Sequence, residues 1–182
     1  MIHIRYSFAD HRPEAYKLEV LRRGCCPALA EASLRENSEC LDISVHAAGL
    51  FHVSTYLDSL CGNFIEHRLK NGMIPEVLGW LRRITEAIDT LEEYLIFEED
   101  VSLCLSDLYF EAERGSARLL LKPSGVRLIE GLSHLCGEIH RQYPESNADL
   151  VARRLRERNA VQLMDRRALL AFLSAWECEL RA

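Results

Sequence analysis

Apolar residues at the start of the chain fall on alternate positions. Ile2, Ile4, Tyr6 and Phe8 face away from the residues at 3, 5 and 7, which is the period of a half-buried strand. Two further runs, residues 41–45 and 50–56, have strand character and are separated by Ala47-Ala48-Gly49, which reads as a hairpin connection. Ahead of them, residues 14–23 combine the alternation of Tyr16, Leu18 and Val20 with a Leu18–Leu21 step and good helix formers before Gly24. A helix ending at that glycine is expected. Pro27 then opens what reads as a short second helix, reaching to about Arg35, with proline in its first turn.

The pattern changes after Asn71-Gly72, a turn signal followed by Pro75 at a helix start. Val77, Leu81, Ile84, Ile88, Leu91 and Leu95 step by four and three, and Ile74, Leu78 and Trp80 widen the stripe. This is the signature of a helix central to the core. Strand candidates follow at 101–105, 108–111 and 117–121, with Glu113-Arg114-Gly115-Ser116 as the turn between the last two. Three helices close the chain. Leu128, Leu132, Leu135 and Ile139 stripe the first. Val151 and Leu155 stripe the second, with Asn147 as its N-cap, and Leu169, Leu173, Trp176 and Leu180 stripe the third, which starts near Asp165. Strands first, then mostly helices with one embedded hairpin, predict an α+β fold. The expectation is a single domain over residues 1–182, with a strand-rich lobe at 1–70 and a helical lobe at 71–182.

Composition adds mainly exclusions. The 182 residues can bury one sizeable core or two small lobes. A net charge of −6 argues against a nucleic-acid surface, which needs a basic excess. Arg153, Arg154, Arg156 and Arg158, with Arg166 and Arg167 beyond them, read as the solvated face of a helix, a binding patch being the alternative. No apolar run approaches the ~18–20 residues of a membrane-spanning helix, and residues 1–10 lack the basic region and apolar core of a signal peptide. A cytoplasmic chain without membrane insertion is therefore expected. Seven cysteines, an odd number without a CxxC spacing, then read as reduced, mostly core thiols.

Candidate chemistry is sparse. In "SHLCGEIH", residues 133–140, His134 and Glu138 share one helix face, and Cys136 and His140 another. The two histidines are six apart, and no second cluster with ligand spacing completes a tetrahedral site. Cys25 and Cys26 precede Pro27, where a helix N-terminus would lower a thiol pKa, and Cys61-Gly62 is followed by His67. Glu98-Glu99-Asp100 offers a cation site or an acid/base pair, with solvated carboxylates as the plainer reading. The chain has no GxxxxGK[ST], GxGxxG or GxSxG. No catalytic, cofactor-binding or metal-ligating residue is assigned, and no cofactor is expected.

The stretch "LEEYLIFEEDVSLCLSDLYFEAERGSARLLLKPSG", residues 91–125, resembles the central block of a bacterial domain-of-unknown-function family carried N-terminal to forkhead-associated (FHA) phosphothreonine-binding domains. Leu91, Glu92, Tyr94 and Leu95 match its helix end, Leu108, Tyr109 and Phe110 its first strand, and Pro123 with Gly125 its exit. The sequence departs from the family at Glu111, where Asp is usual, and at Lys122-Pro123-Ser124-Gly125, where Pro-Gly is usually contiguous. That family is more distantly similar to the kinase-like cytoplasmic domain of type VII secretion proteins of the EssB/YukC kind.

The resemblance implies a reduced kinase-like fold, in which residues 101–121 form a hairpin packed near the C-terminal end of the 75–95 helix and not at its head. A working kinase needs a strand lysine, a catalytic-loop Asp with its Asn, and a metal-binding Asp. Here there is no His-Arg-Asp, Leu105 stands five residues after Asp100, and "LKPSG" replaces Asp-Phe-Gly. Of Lys17, Lys70 and Lys122, only Lys17 falls well inside the first lobe, without an Ala-x-Lys strand around it. The implied function is a non-catalytic, pseudokinase-like scaffold or protein-interaction domain, not an enzyme, linked to FHA-type signalling or type VII secretion. Its partner would be a protein. Homodimerisation through the stripe at 77–95 or 169–180 is compatible with this. The alternative is a small α+β enzyme using a cysteine nucleophile or an isolated metal site.

Overall fold

The alternating N-terminal residues do form a strand, β1 (Ile2–Ser7), in a computed structural model that describes residues 2–7, 12–36, 39–46, 48–64, 73–161 and 165–181. Phe8, Ala47, His67, Lys70 and the Asn71-Gly72 turn lie outside the described residues. β1 pairs antiparallel with β3 (Cys40–Val45), which pairs on its other side with β2 (Ala32–Glu36). In β3 the period-two pattern is clear: Leu41, Ile43 and Val45 are buried. Asp42 and Ser44, between them, bond Arg5 (2.6 Å) and His3 (2.9 Å) on the outer face. Helix α1 (Ala15–Arg23) packs against β2 and ends at Gly24 in the left-handed conformation, as expected.

Two sequence expectations fail in this region. Residues 27–35 are not a helix. A turn at Cys26–Leu29 leads to an isolated parallel bridge between Leu29 and Leu119, and then to β2. Ala, Leu, Arg and Glu favour helix locally, but the open edge of β3 claims their backbone, so pairing overrides propensity. Residues 41–56 are not a hairpin either. Strand β4 (Leu50–His52) turns away at Gly49 (φ 74°) and pairs with a distant strand, and helix α2 (Val53–Phe64) begins immediately after it.

Helix α3 (Ile74–Glu92) has Pro75 in its first turn and a fully buried stripe of Val77, Leu81, Ile84, Ile88 and Leu91. Leu95 does not belong to that stripe; it lies beyond the helix and is exposed. The chain then makes a 3-10 turn at Glu98–Asp100, strand β5 (Val101–Ser102) and a second 3-10 turn at Leu105–Asp107. Strands β6 (Tyr109–Glu111) and β7 (Ala117–Arg118) form the embedded hairpin. Its turn closes where Gly115 (φ 64°) donates to the Glu111 carbonyl. β4 adds to β6, making a sheet of order β4-β6-β7, while β5 pairs with β8 (Leu120–Leu121). The hairpin runs along α3 from its second turn into its C-terminal half: Phe110 packs on Trp80, and Glu111, Ser116 and Arg118 share a cleft with Arg83, Ala87 and Thr90.

Helices α4 (Leu128–Gln142), α5 (Ala148–Val161) and α6 (Arg166–Arg181) complete the fold, α4 packing on α5 and α6 on α3. Asp165 caps α6 by accepting the Ala168 N–H at 2.7 Å. Asn147 precedes α5 but takes a left-handed conformation (φ 54°) that ends a 3-10 turn, and the Ser146 hydroxyl accepts the Ala148 N–H instead. Gly131 lets α4 press against Leu103, whose Cδ1 would stand 2.7 Å from a β-carbon at that position. The architecture is α+β, with small antiparallel sheets and a mainly helical C-terminal part sharing one apolar core. Among the described residues, no helix is long and apolar enough to cross a membrane.

Candidate functional site

The densest polar structure grows from the end of α3. Leu95 donates to the Glu92 carbonyl (2.9 Å) and Ile96 to the Leu91 carbonyl (3.1 Å), the paired bonds of a Schellman motif. Ile96 and Leu91 are both fully buried, supplying the apolar contact that accompanies it. Leu95, with φ 56°, holds the position glycine usually takes. The Tyr16 hydroxyl donates to its carbonyl at 2.6 Å, and the Tyr94 hydroxyl reaches the Cys25 carbonyl at 2.9 Å. The end of α3 is thereby sewn to α1 and to the chain that follows it.

Asp100 is the next knot. Its Oδ2 accepts the Phe97 N–H at 2.9 Å and its Oδ1 accepts from Lys17 Nζ at 2.6 Å. Lys17, only 7% exposed, also meets Glu14 at 2.7 Å. Burial pulls the Lys17 pKa down, but the hydrogen bonds it donates to Asp100 and Glu14 outweigh that and hold the pKa well above the ordinary lysine value. Of the acidic run at 98–100, Asp100 is therefore not a solvated carboxylate; it anchors the buried cation of α1.

A second pair lies where β5 and β8 meet. Asp107 is buried and accepts from Ser102 Oγ at 2.6 Å and from Lys122 Nζ at 2.8 Å. Lys122 borders an apolar cleft of about 340 Å³, lined also by Leu103, Cys104, Val126 and His134. A larger cavity, about 550 Å³, lies between α2 and α4 and is lined by His52, Ser54, Ser106, Glu138 and Arg141. His52 Nδ1 accepts the Ser54 N–H (3.1 Å) and stands 2.5 Å from Ser54 Oγ, while Nε2 lies 3.0 Å from the Ser106 carbonyl. Its ring thus caps the start of α2. The pattern was not visible in sequence, because histidine is an uncommon cap.

The remaining candidates separate. Cys26 is buried and, with no helix starting at Pro27, burial raises its pKa in place of the expected fall; Cys25 is exposed. Cys61 lies in α2, its side chain outside the described residues. Cys136 is a core thiol whose pKa burial pushes up to about 12. His134 is exposed at the apolar cleft, Glu138 accepts the Leu105 N–H at 2.7 Å, and His140 lies 3.6 Å from Asp149. Among the described residues, no three His, Cys, Asp or Glu side chains gather as metal ligands. The α5 arginines point outward, with Arg154 stacked 4.4 Å over the Trp176 ring. No family model, curated protein or solved structure matches the chain.

Proposed function

We propose that the chain is a non-catalytic protein-interaction domain with a reduced, pseudokinase-like fold, related to the domains found N-terminal to FHA modules, and that its partner is a signalling or secretion protein. The observation that carries this reading is the Lys122–Asp107 ion pair. Phosphoryl transfer of the kinase type gathers metal ions on carboxylate and amide oxygens. Lys122 opens the Lys122-Pro123-Ser124-Gly125 segment that stands in place of Asp-Phe-Gly, and its ammonium compensates the one buried carboxylate beside it. A cation built into the chain at this point removes the local negative charge that would attract a metal ion.

Two placements add support. Lys17 sits on a helix, committed to Asp100 and Glu14, whereas a kinase lysine projects from a strand toward the nucleotide. The β6–β7 hairpin also reaches the C-terminal half of α3, at Ala87 and Thr90, while Phe110 packs on Trp80 in the second turn. Thermal-shift titration with ATP and magnesium tests the reading. The expected result is no saturable rise in Tm; clear saturable stabilisation counts against a domain without nucleotide function.

A further inference from the structure

Five large apolar side chains among the described residues are notably exposed: Leu95 (61%), Phe97 (43%), Leu150 (43%), Tyr16 (40%) and Tyr56 (39%). Three of them gather where α1 meets the end of α3. The Tyr16 hydroxyl bonds the Leu95 carbonyl, and the Phe97 N–H bonds the same Asp100 carboxylate that holds Lys17, the residue after Tyr16. Leu95 is the informative member. It occupies the left-handed position of the Schellman motif, where a β-carbon is unfavourable and glycine is the usual choice. A side chain that is both strained and exposed returns little packing to its own fold, and such positions concentrate where a surface is used.

The surroundings specify the partner's charge. Glu93 precedes Leu95 and Glu99 follows Phe97, both exposed, while Glu14 is paired with Lys17 and Glu98 lies near Arg166. This acidic rim repels anionic lipid and nucleic-acid phosphate and attracts a basic chain. We propose that Tyr16, Leu95 and Phe97 form a docking surface for a basic amphipathic segment of a partner protein. The segment's apolar side chains seat among these three, and its Lys and Arg side chains meet the surrounding carboxylates. The proposal rests on the interaction-domain reading and adds to it a surface and a class of partner.

The probe is a synthetic helix of roughly 18 residues, with Leu and Phe on one face flanked by Lys and Arg, titrated against the full chain by fluorescence anisotropy. Saturable binding that weakens with salt is expected. Affinity should fall at least about tenfold when the peptide's basic residues become Glu, and likewise in Leu95→Gly and Phe97→Ser. Leu95→Gly is the sharper variant, because glycine relieves the left-handed strain. It should melt no lower than the wild type, so loss of binding cannot be loss of fold.

Absence of saturable binding to the wild type, unchanged affinity in both variants, or equal binding of the acidic peptide overturns the proposal. Peptide-induced hydrogen-exchange protection at Tyr56 or Leu150 in place of residues 94–99 also overturns it, while leaving the interaction-domain reading intact. Wild-type self-association abolished by Arg153→Glu on α5 would assign the surface to a second copy and overturn it as well. Saturable stabilisation by ATP and magnesium strikes only the parent reading.

Discussion

Replacing Lys17 with methionine keeps most of the buried stem but strips Asp100 of its cation. Asp100 is half-buried and retains only the Phe97 N–H, so the lone carboxylate is left poorly compensated. A loss of about 2–3 kcal/mol is expected, at the low end for a broken buried pair, read from the shift of the urea midpoint. The pH dependence follows from the sign of the Lys17 shift. Its folded pKa lies above the ordinary 10.5, so the stabilisation is fully present below 10.5 and is lost as pH rises through the raised value. The wild-type advantage over Lys17→Met should hold level from roughly pH 6 to 9 and shrink only in strongly alkaline solution. A gap that closes near neutrality would mean that Lys17 contributes packing and not charge.

At the scale of elements, His52 links the end of β4 to the start of α2. His52→Ala removes the acceptor for the Ser54 N–H and the contact with the Ser106 carbonyl. A cost of about 1–2 kcal/mol is expected, as for other lost caps, and hydrogen exchange of the variant should show the first-turn amides of α2 losing protection while those of α3 keep theirs. Elements whose signal is local were legible in the sequence: α3 from its apolar stripe, α1 from its terminal glycine, and the β6–β7 hairpin from its Gly115 turn. Elements defined by their partners were not. Residues 32–36 carry helix formers and became strand because β3 offered an edge, and 50–52 looked like the return arm of a local hairpin although its partner is β6. The site is harder to read. Lys17, Asp100 and Lys122 can each be weighed singly against a kinase pattern, but the pairs they form are not foreseeable, because Lys17 lies 83 residues before Asp100 and Asp107 is 15 before Lys122. Leu95 was misread because a periodic leucine one turn beyond Leu91 looks like a helix continuing.

Across the whole molecule, α1 and the chain leading from it into β2 are fastened at several separated points to the region that runs from the end of α3 to β8. The Leu29–Leu119 bridge, the Arg118 guanidinium on the Pro27 carbonyl, the Tyr94–Cys25 bond and the Lys17–Asp100 pair all cross between them. Local opening of one part should therefore expose polar groups in the other. The two are expected to unfold together: the slowest-exchanging amides of β3 and α3 should report the same opening free energy and the same denaturant dependence. Distinct values, with β3 opening first, would mark the N-terminal sheet as an independent unit.

The β4–β6 pairing also sets a timetable. Leu50 meets Glu111, 61 residues later, and everything between them, α2 and α3 included, is looped out by that contact. During synthesis from the N-terminus, β4 has no ladder partner until α3 has been made and the chain has doubled back along it. The long helix is thus the former on which the middle sheet is laid, and the start of α2, capped from the last residue of β4, is aligned only when that sheet closes.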